Sequence, residues 1–477
     1  MNCIAKPATI LFAFFFLWSC IFPGNAAGIT IEEEEELSKE FLKIALMHYD
    51  LIEDPAIADY VNRVGRKIVA ELPSPPFNYH FYVIRQDVYN AFAGPAGHIF
   101  INSGLLEGME SENELAGILA HEISHVACRH ISEMVERSKK TTLLTLAGIA
   151  TGIFLGVGGA TTAASAVTVS SIAAGASISL AYSRENEMEA DQIALKYLLK
   201  AGYTEEGLLK TLKKIRTRNW YGSDQIPTYL TTHPATEDRI AYISSCIEEK
   251  PVSPSQPETS KFIIIQTRLT ALYGEERIAR KKFEIAVKNN PDQYLSHYGY
   301  GLVLARVGDN IGSAKHLRKA LEDKPLDQTV IRELGRVYFL NGNYKEAYIM
   351  LKDAASPSSN DSEVRFYLGR TLKELGKTKQ AILEFEQLLS ENPDFTQAYY
   401  HLGVIYGEQE MLGEAHYYLG MYYWKKRQAR NAVFHLKRAA KHLTAMKKKQ
   451  KAEKILKAVG VDVDLKDSQP DRSGLIY

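Results

Sequence analysis

Net charge is the first thing this chain lacks. Its 57 Lys and Arg residues balance 57 Asp and Glu. That balance leaves no global field to draw the chain to nucleic acid or to an acidic substrate, and no nucleic-acid partner is expected. Cysteine is nearly absent. Once the leader described below is removed, only Cys128 and Cys246 remain, so at most one intrachain bridge can form. An exported location would permit that bridge, and two reduced, buried thiols is the plainer reading. Charge is also missing locally. Lys6 is the only charged side chain among the first 30 residues, and residues 141–183 carry none.

The first gap reads as a secretory leader. Lys6 precedes an apolar stretch from Ile10 to Phe22, and Pro23-Gly24-Asn25-Ala26-Ala27 supplies small residues for cleavage. Residues 1–27 are therefore expected to be a signal peptide. The second gap is long enough for two membrane spans of ~20 residues each. Its many Thr and Ser residues, and the thinning of large apolar ones after Leu155, favour helices that cover the active site or touch a bilayer.

The remainder has ordinary globular composition, 45% hydrophobic and 24% charged. At 477 residues it should form two or three domains. Residues 28–75 have helical spacing until Pro73-Ser74-Pro75-Pro76 stops them. Tyr79–Ile84 and His98–Ile101 alternate like strands around a Gly94-Pro95-Ala96-Gly97 turn. Residues 111–137 read as one helix, with Ser111 and Glu114 at capping-box spacing. A Pro- and Ser-rich linker occupies 250–260.

Beyond the linker, Gly301, Gly335, Gly369 and Gly403 recur every 34 residues. Gly308, Gly342 and Gly376 follow seven positions later, and Leu317, Leu351, Phe385 and Leu419 sixteen later. This is the tetratricopeptide period, in which small residues let paired helices approach and large ones fill between them. Ser313 stands where Ala is expected, and Gly420 follows Gly403 after only 17 residues. The array should therefore close on a half-step and a helix pair near Arg427–Leu443. Such arrays form concave surfaces for proteins or peptides. Lys447-Lys448-Lys449-Gln450-Lys451 is read as a solvated face leading into a basic, partly disordered tail at 447–477.

The chemistry points to His121-Glu122-Ile123-Ser124-His125. On a helix, histidines at i and i+4 share one face and can share one metal ion. Zinc suits nitrogen and carboxylate ligands in a tetrahedral site. Glu122 is then placed to take a proton from an attacking water as general base. A third ligand is on offer from Glu185, Glu187, Glu189 or Asp191. Glu187 with Asp191 and Glu185 with Glu189 each lie at i, i+4, and spacing leaves the choice open. His130, five residues past His125, falls off the ligand face. Cys128 is seven residues from His121, about 10 Å along a helix, too far to join both histidines. His233 could approach the metal, and Arg239 could hold a substrate carbonyl or an acidic partner.

These residues carry a resemblance. His121–His125, the string Ser183-Arg184 to Glu187 and Ala190-Asp191, and Thr232-His233-Pro234 with Arg239 resemble the HtpX-like and CAAX-prenyl-protease family of metallopeptidases. Asn90-Ala91-Phe92-Ala93, Gly97-His98-Ile99 and Gly104-Leu105-Leu106 resemble it too. The resemblance implies Glu187 as third zinc ligand, with one zinc per chain, and Asp191 as its partner behind a ligand histidine. It implies that His233 can fill the fourth position and latch the site, and that the strand near His98–Asn102 binds an extended peptide edge-on. The implied location is the periplasm, with peripheral membrane contact left open. The implied partners are outer-membrane β-barrel proteins, as substrates, and their assembly machinery.

The expected architecture is mainly α: a zincin-like α+β metalloprotease domain with a small sheet at 28–249, then an α-solenoid of tetratricopeptide repeats at 261–446. The expected function is an exported zinc endopeptidase of envelope-protein quality control. The competing reading is a repeat-based periplasmic chaperone or scaffold with a latent zinc site.

Overall fold

The structure is a computed structural model, and it describes residues 29–137, 182–220, 228–248, 259–355 and 361–460. The leader, nearly all of the uncharged 141–183 segment, most of the linker and the chain beyond 460 lie outside the described residues. The fold divides into two compact units, with the boundary after Glu275.

The first unit opens on two amphipathic helices. Helix α1 (Ile31–His48) starts at a capping box, in which the Thr30 hydroxyl accepts from the Glu33 amide at 3.1 Å and the Glu33 carboxylate accepts from the Thr30 amide at 2.8 Å. Helix α2 (Pro55–Val69) begins with Pro behind an Asp54 cap. Its apolar face, including Ile57, Val61, Val64 and Ile68, is buried.

Three strands follow: β1 (His80–Ile84), β2 (Ala91–Ala93) and β3 (His98–Asn102). Their order is β1-β3-β2, with β3 parallel to β1 and antiparallel to β2. The expectation of edge-on peptide binding at His98–Asn102 is therefore corrected. Both edges of β3 are already paired, and only β1 and β2 are outer strands. The alternation at Ala91–Ala93 is too short to announce β2.

Helix α3 (Ser103–Gly108) leads to α4 (Glu112–Ala127), which carries the His-Glu-x-x-His motif. Ser111 is the N-cap residue of α4, but it forms no capping bond to the backbone. Its hydroxyl donates to the Glu114 carboxylate at 3.4 Å, and Lys214 draws that carboxylate away at 2.7 Å. The helix expected over 111–137 is also interrupted. Arg129 takes φ 58°, a left-handed conformation that costs a non-glycine residue about 1–2 kcal/mol. The chain then restarts as α5 (His130–Arg137).

Helices α6 (Arg184–Lys200), α7 (Glu206–Trp220), α8 (Thr228–Thr232), α9 (Thr236–Glu248) and α10 (Thr259–Tyr273) complete the unit. A close approach joins α4 and α7. A Cβ on Gly117 would stand 2.4 Å from the Leu208 amide nitrogen, and one on Gly207 would stand 2.0 Å from the Asn113 carbonyl. Helix α10 lies within the stretch assigned to the repeat half, yet it folds with the first unit. Phe262 and Leu269 enter the first core, and Arg268 pairs with the buried Asp54 at 2.7 Å.

The second unit is a run of antiparallel helices: α11 (Glu276–Asn289), α12 (Tyr294–Arg306), α13 (Asn310–Asp323), α14 (Gln328–Leu340), α15 (Tyr344–Ala354), α16 (Ser362–Glu374), α17 (Thr378–Glu391), α18 (Thr396–Glu408), α19 (Leu412–Lys425), α20 (Ala429–His442) and α21 (Met446–Ala458). The 34-residue glycines let each helix pair close. A Cβ at Gly301, Gly335, Gly369 or Gly403 would come within 2.7–2.8 Å of Leu317, Leu351, Phe385 or Leu419. Gly420 stands in the same relation to Leu436, at 2.6 Å. Helix α19 therefore acts as the second helix of one pair and the first of the next, which is the physical content of the 17-residue half-step. The expected tail begins later than residue 447. Ala452 and Leu456 are fully buried, so α21 caps the last core, and Lys448 reaches Glu386 at 3.2 Å and the Tyr418 hydroxyl at 2.9 Å.

Candidate metal centre

Two helices and one loop build the site. Helix α4 presents His121 and His125 one turn apart. Helix α6 is fixed at its start by a capping box between Ser183 and Asn186, which sets the pitch of Glu187 and Asp191. His233 follows α8, with its amide donating to the Tyr229 carbonyl at 2.8 Å. The Tyr182 amide donates to the Thr232 carbonyl at 3.1 Å, tying the start of α6 to that loop.

His121, His125, Glu187 and His233 are fully buried, and their ligand atoms lie within 4.8 Å of one another. His125 Nε2 is 3.0 Å from His121 Nε2 and 3.3 Å from Glu187 Oε1. His233 Nδ1 is 3.0 Å from Glu187 Oε1 and 3.4 Å from His121 Nε2. Of the open choices on α6, geometry brings Glu187 to the centre. Glu185 and Glu189 lie on exposed positions. Three imidazole nitrogens and one carboxylate form a donor set that fits zinc. Beside this set, Glu122 Oε1 and His233 Nε2 lie 3.7 Å apart, and both are buried with no hydrogen-bond partner among the described residues.

The electrostatics follow from burial and two charges. Burial alone would raise Glu187 and Asp191. Instead His233 and Arg239 hold Glu187 well below the usual carboxylate range, and Arg239 with His121 pushes Asp191 down to about 2. Burial and Arg239 oppose a charged His121, but Asp191 carries it up to about 9. Burial drives His125 well below its ordinary value and raises Glu122.

Asp191 Oδ1 lies 2.8 Å from His121 Nδ1. Arg239 departs from the expectation of a substrate or partner contact. It is 1% exposed, and its guanidinium already meets Asp191 at 2.8 Å and Glu187 at 2.6 Å. It braces the two buried acidic residues of α6, Glu187 and Asp191.

Three site neighbours were missed by sequence reasoning. Tyr182 stacks on His125 with ring centroids 3.8 Å apart, and Tyr229 stacks on His233 at 4.2 Å. His130 lies off the α4 face by spacing, yet its Nδ1 reaches 2.9 Å from His125 Nδ1 because the helix breaks between them. Nothing in the sequence signals the tyrosines; Arg129 gives no warning of the break. Cys128 stays away from the metal cluster and sits with His130 and Glu189. Cys128 and Cys246 are both free and half-buried.

Residues 55–247 match the family described as Peptidase family M48, and residues 339–403 match the tetratricopeptide repeat. The chain is 29% identical over 325 residues to a protein of Yersinia pestis named beta-barrel assembly-enhancing protease, covering 67% of this chain and 64% of that one. A protein of the same name from Escherichia coli is 26% identical over 348 residues, with 71% and 70% covered. The mitochondrial metalloendopeptidase OMA1 of Schizosaccharomyces pombe is 28% identical over 193 residues, covering 40% of this chain and 54% of that one. The chain thus spans just under two thirds of the Yersinia relative. Among the described residues, no helix is long and apolar enough to cross a membrane. The site on α4 and α6 falls within residues 55–247, the stretch that matches Peptidase family M48, and the tetratricopeptide match lies in the same chain.

Proposed function

We propose that this chain is an exported zinc endopeptidase of the cell envelope that cleaves misfolded or stalled outer-membrane β-barrel proteins. The observation that carries the activity is the convergence of His121, His125, Glu187 and His233 beside the unmatched carboxylate of Glu122. The substrate class rests on the name of the Yersinia and Escherichia relatives, beta-barrel assembly-enhancing protease. Export rests on the apolar leader at 1–27.

His121, His125 and Glu187 would hold the ion. Bound zinc supplies Lewis-acid chemistry, stabilising negative charge that develops on the scissile carbonyl. Asp191 accepts from His121 Nδ1–H, so the ring keeps Nε2 free as a donor atom. Glu122 accepts the proton of the attacking water and returns it to the leaving amine. Its burial keeps the carboxylate short of hydrogen bonds, and hence basic. His233 would supply the fourth donor and, in this reading, latches the site until the loop after α8 moves. The repeats recruit the substrate or its assembly machinery.

A repeat-based scaffold with a latent zinc site remains the competing reading. Stripping the metal separates the two. The proposal expects chelated protein to lose cleavage of an unfolded β-barrel protein, zinc to restore it, and Glu187→Gln to resist restoration. Cleavage that survives chelation would overturn the metallopeptidase reading. A protein that loads zinc but never cuts would favour the scaffold.

A further inference from the structure

We infer that His130 and Glu189 form a relay that orients the metal ligand His125, making His130 a positioning residue of the centre. This rests on the zinc-site reading above and extends it to a ligand that has no carboxylate of its own.

The two ligand histidines of α4 differ in what stands behind them. His121 has Asp191 at 2.8 Å from Nδ1. His125 has an imidazole there instead, with His130 Nδ1 at 2.9 Å. His125 Nε2 faces Glu187 and His121, so its lone pair belongs to the metal cluster. Its proton must then sit on Nδ1 and be donated to His130 Nδ1. His130 can accept there only as the tautomer protonated at Nε2. That Nε2–H lies 3.3 Å from Glu189 Oε2 and donates to it. One carboxylate thus sets two tautomers in series, and α6 supports both α4 histidines: directly through Asp191 and, one ring removed, through Glu189.

The backbone is shaped for this contact. On an unbroken helix a residue at i+5 points away from residue i. The left-handed φ of 58° at Arg129 ends α4 and swings His130 back under His125, with ring centroids 5.0 Å apart. The Arg129 side chain secures the turn by donating to the Ile29 carbonyl at 2.6 Å and pairing with the buried Glu34 at 3.0 Å. His130 is 1% exposed, whereas the Glu189 side chain is 57% exposed. Water can therefore stand in for Glu189 but not for His130.

The test is zinc affinity, measured by chelator competition on the full chain, beside thermal unfolding of the metal-free proteins. Partners of this kind are worth about 10–100-fold in metal affinity, and His130→Ala should lose that much. His130→Asn places an amide oxygen near the Nδ1 position and should recover most of it. Glu189→Leu should lose less than His130→Ala, and Cys128→Ser should match wild type at one zinc per chain. Wild-type affinity in a folded His130→Ala protein would overturn the relay, as would His130→Asn no better than His130→Ala. A second zinc lost in Cys128→Ser would also overturn it, by assigning His130 to a separate metal site with Cys128 and Glu189. Absence of zinc from the wild type would instead take down the metal centre itself.

Discussion

Asp191 and Arg239 face each other in a two-pronged ion pair at full burial, with Nε 2.8 Å from Oδ2 and a terminal nitrogen 2.8 Å from Oδ1. The same Asp191 oxygen that meets this guanidinium also meets His121. The pair therefore couples the stability of the first unit to the setting of the proposed metal ligands. Asp191→Ala leaves the buried guanidinium with Glu187 as its one remaining carboxylate, and the loss should approach about 3–5 kcal/mol, the cost of a broken buried pair. Denaturant unfolding of the metal-free protein should show that loss. A variant as stable as wild type would remove the pair from the account.

Arg239→Lys tests the fork rather than the charge. A lysine cannot span the carboxylates of Glu187 and Asp191 in one plane. The variant should keep its charge yet unfold more easily and bind zinc more weakly than wild type. Equal zinc affinity would show that any cation at this position suffices.

The repeat glycines make a geometric prediction. A Cβ at Gly369 would stand 2.8 Å from Phe385 Cε1. Overpacking of this sort costs about 1–3 kcal/mol, and Gly369→Ala should lower the unfolding midpoint of the repeats accordingly. In a chain that already carries Phe385→Ala the added cost of Gly369→Ala should shrink, because the two sites share the contact. Strict additivity of the two changes would place the strain elsewhere.

The repeats should also be acid-sensitive. His297 and His316 meet Nδ1 to Nδ1 at 2.8 Å, and His416 and His435 at 2.9 Å. Burial holds His316, His416 and His435 down to about 4, with His297 and Lys315 adding to the effect at His316, Arg438 and His442 at His416, and His416 at His435. Asp309 opposes it at His316. Unfolded histidines take their proton near 6.5. The unfolded chain then binds more protons below that value, so stability is full above about pH 6.5 and is lost as pH falls toward 4. Melting temperature against pH should show this slope, and His316→Gln with His435→Gln should flatten it. An unchanged slope would exclude the histidine pairs as its source.

His233 carries a prediction of direction. If it latches the centre, His233→Ala should retain zinc through His121, His125 and Glu187 and cleave several-fold faster. Slower cleavage would make His233 a needed ligand instead.

Much of this molecule was legible in its residues, for identifiable reasons. His121 and His125 sit where helical spacing puts them, because α4 is regular between Glu112 and Ala127. The repeat glycines were legible because one packing contact recurs every 34 residues, and the half-step at Gly420 proved to be one helix serving two pairs. What escaped depends on backbone that no local pattern announces. The Arg129 break moved His130 from the wrong face to the ligand's back. The sheet order put β3 in the middle, which periodicity does not encode. Arg239 was assigned to a guest because its partners Glu187 and Asp191 lie some fifty residues away in sequence.

The central claim is that Glu122 moves the proton while other residues hold the ion. Its most direct test is zinc content and peptide cleavage measured together on Glu122→Gln. Glu122 lies beside the cluster, with Oε1 3.7 Å from His233 Nε2, and outside its donor set. The account predicts one zinc per chain, as in wild type, with cleavage reduced by about 10²-fold or more. A Glu122→Gln protein that cleaves like wild type would contradict it.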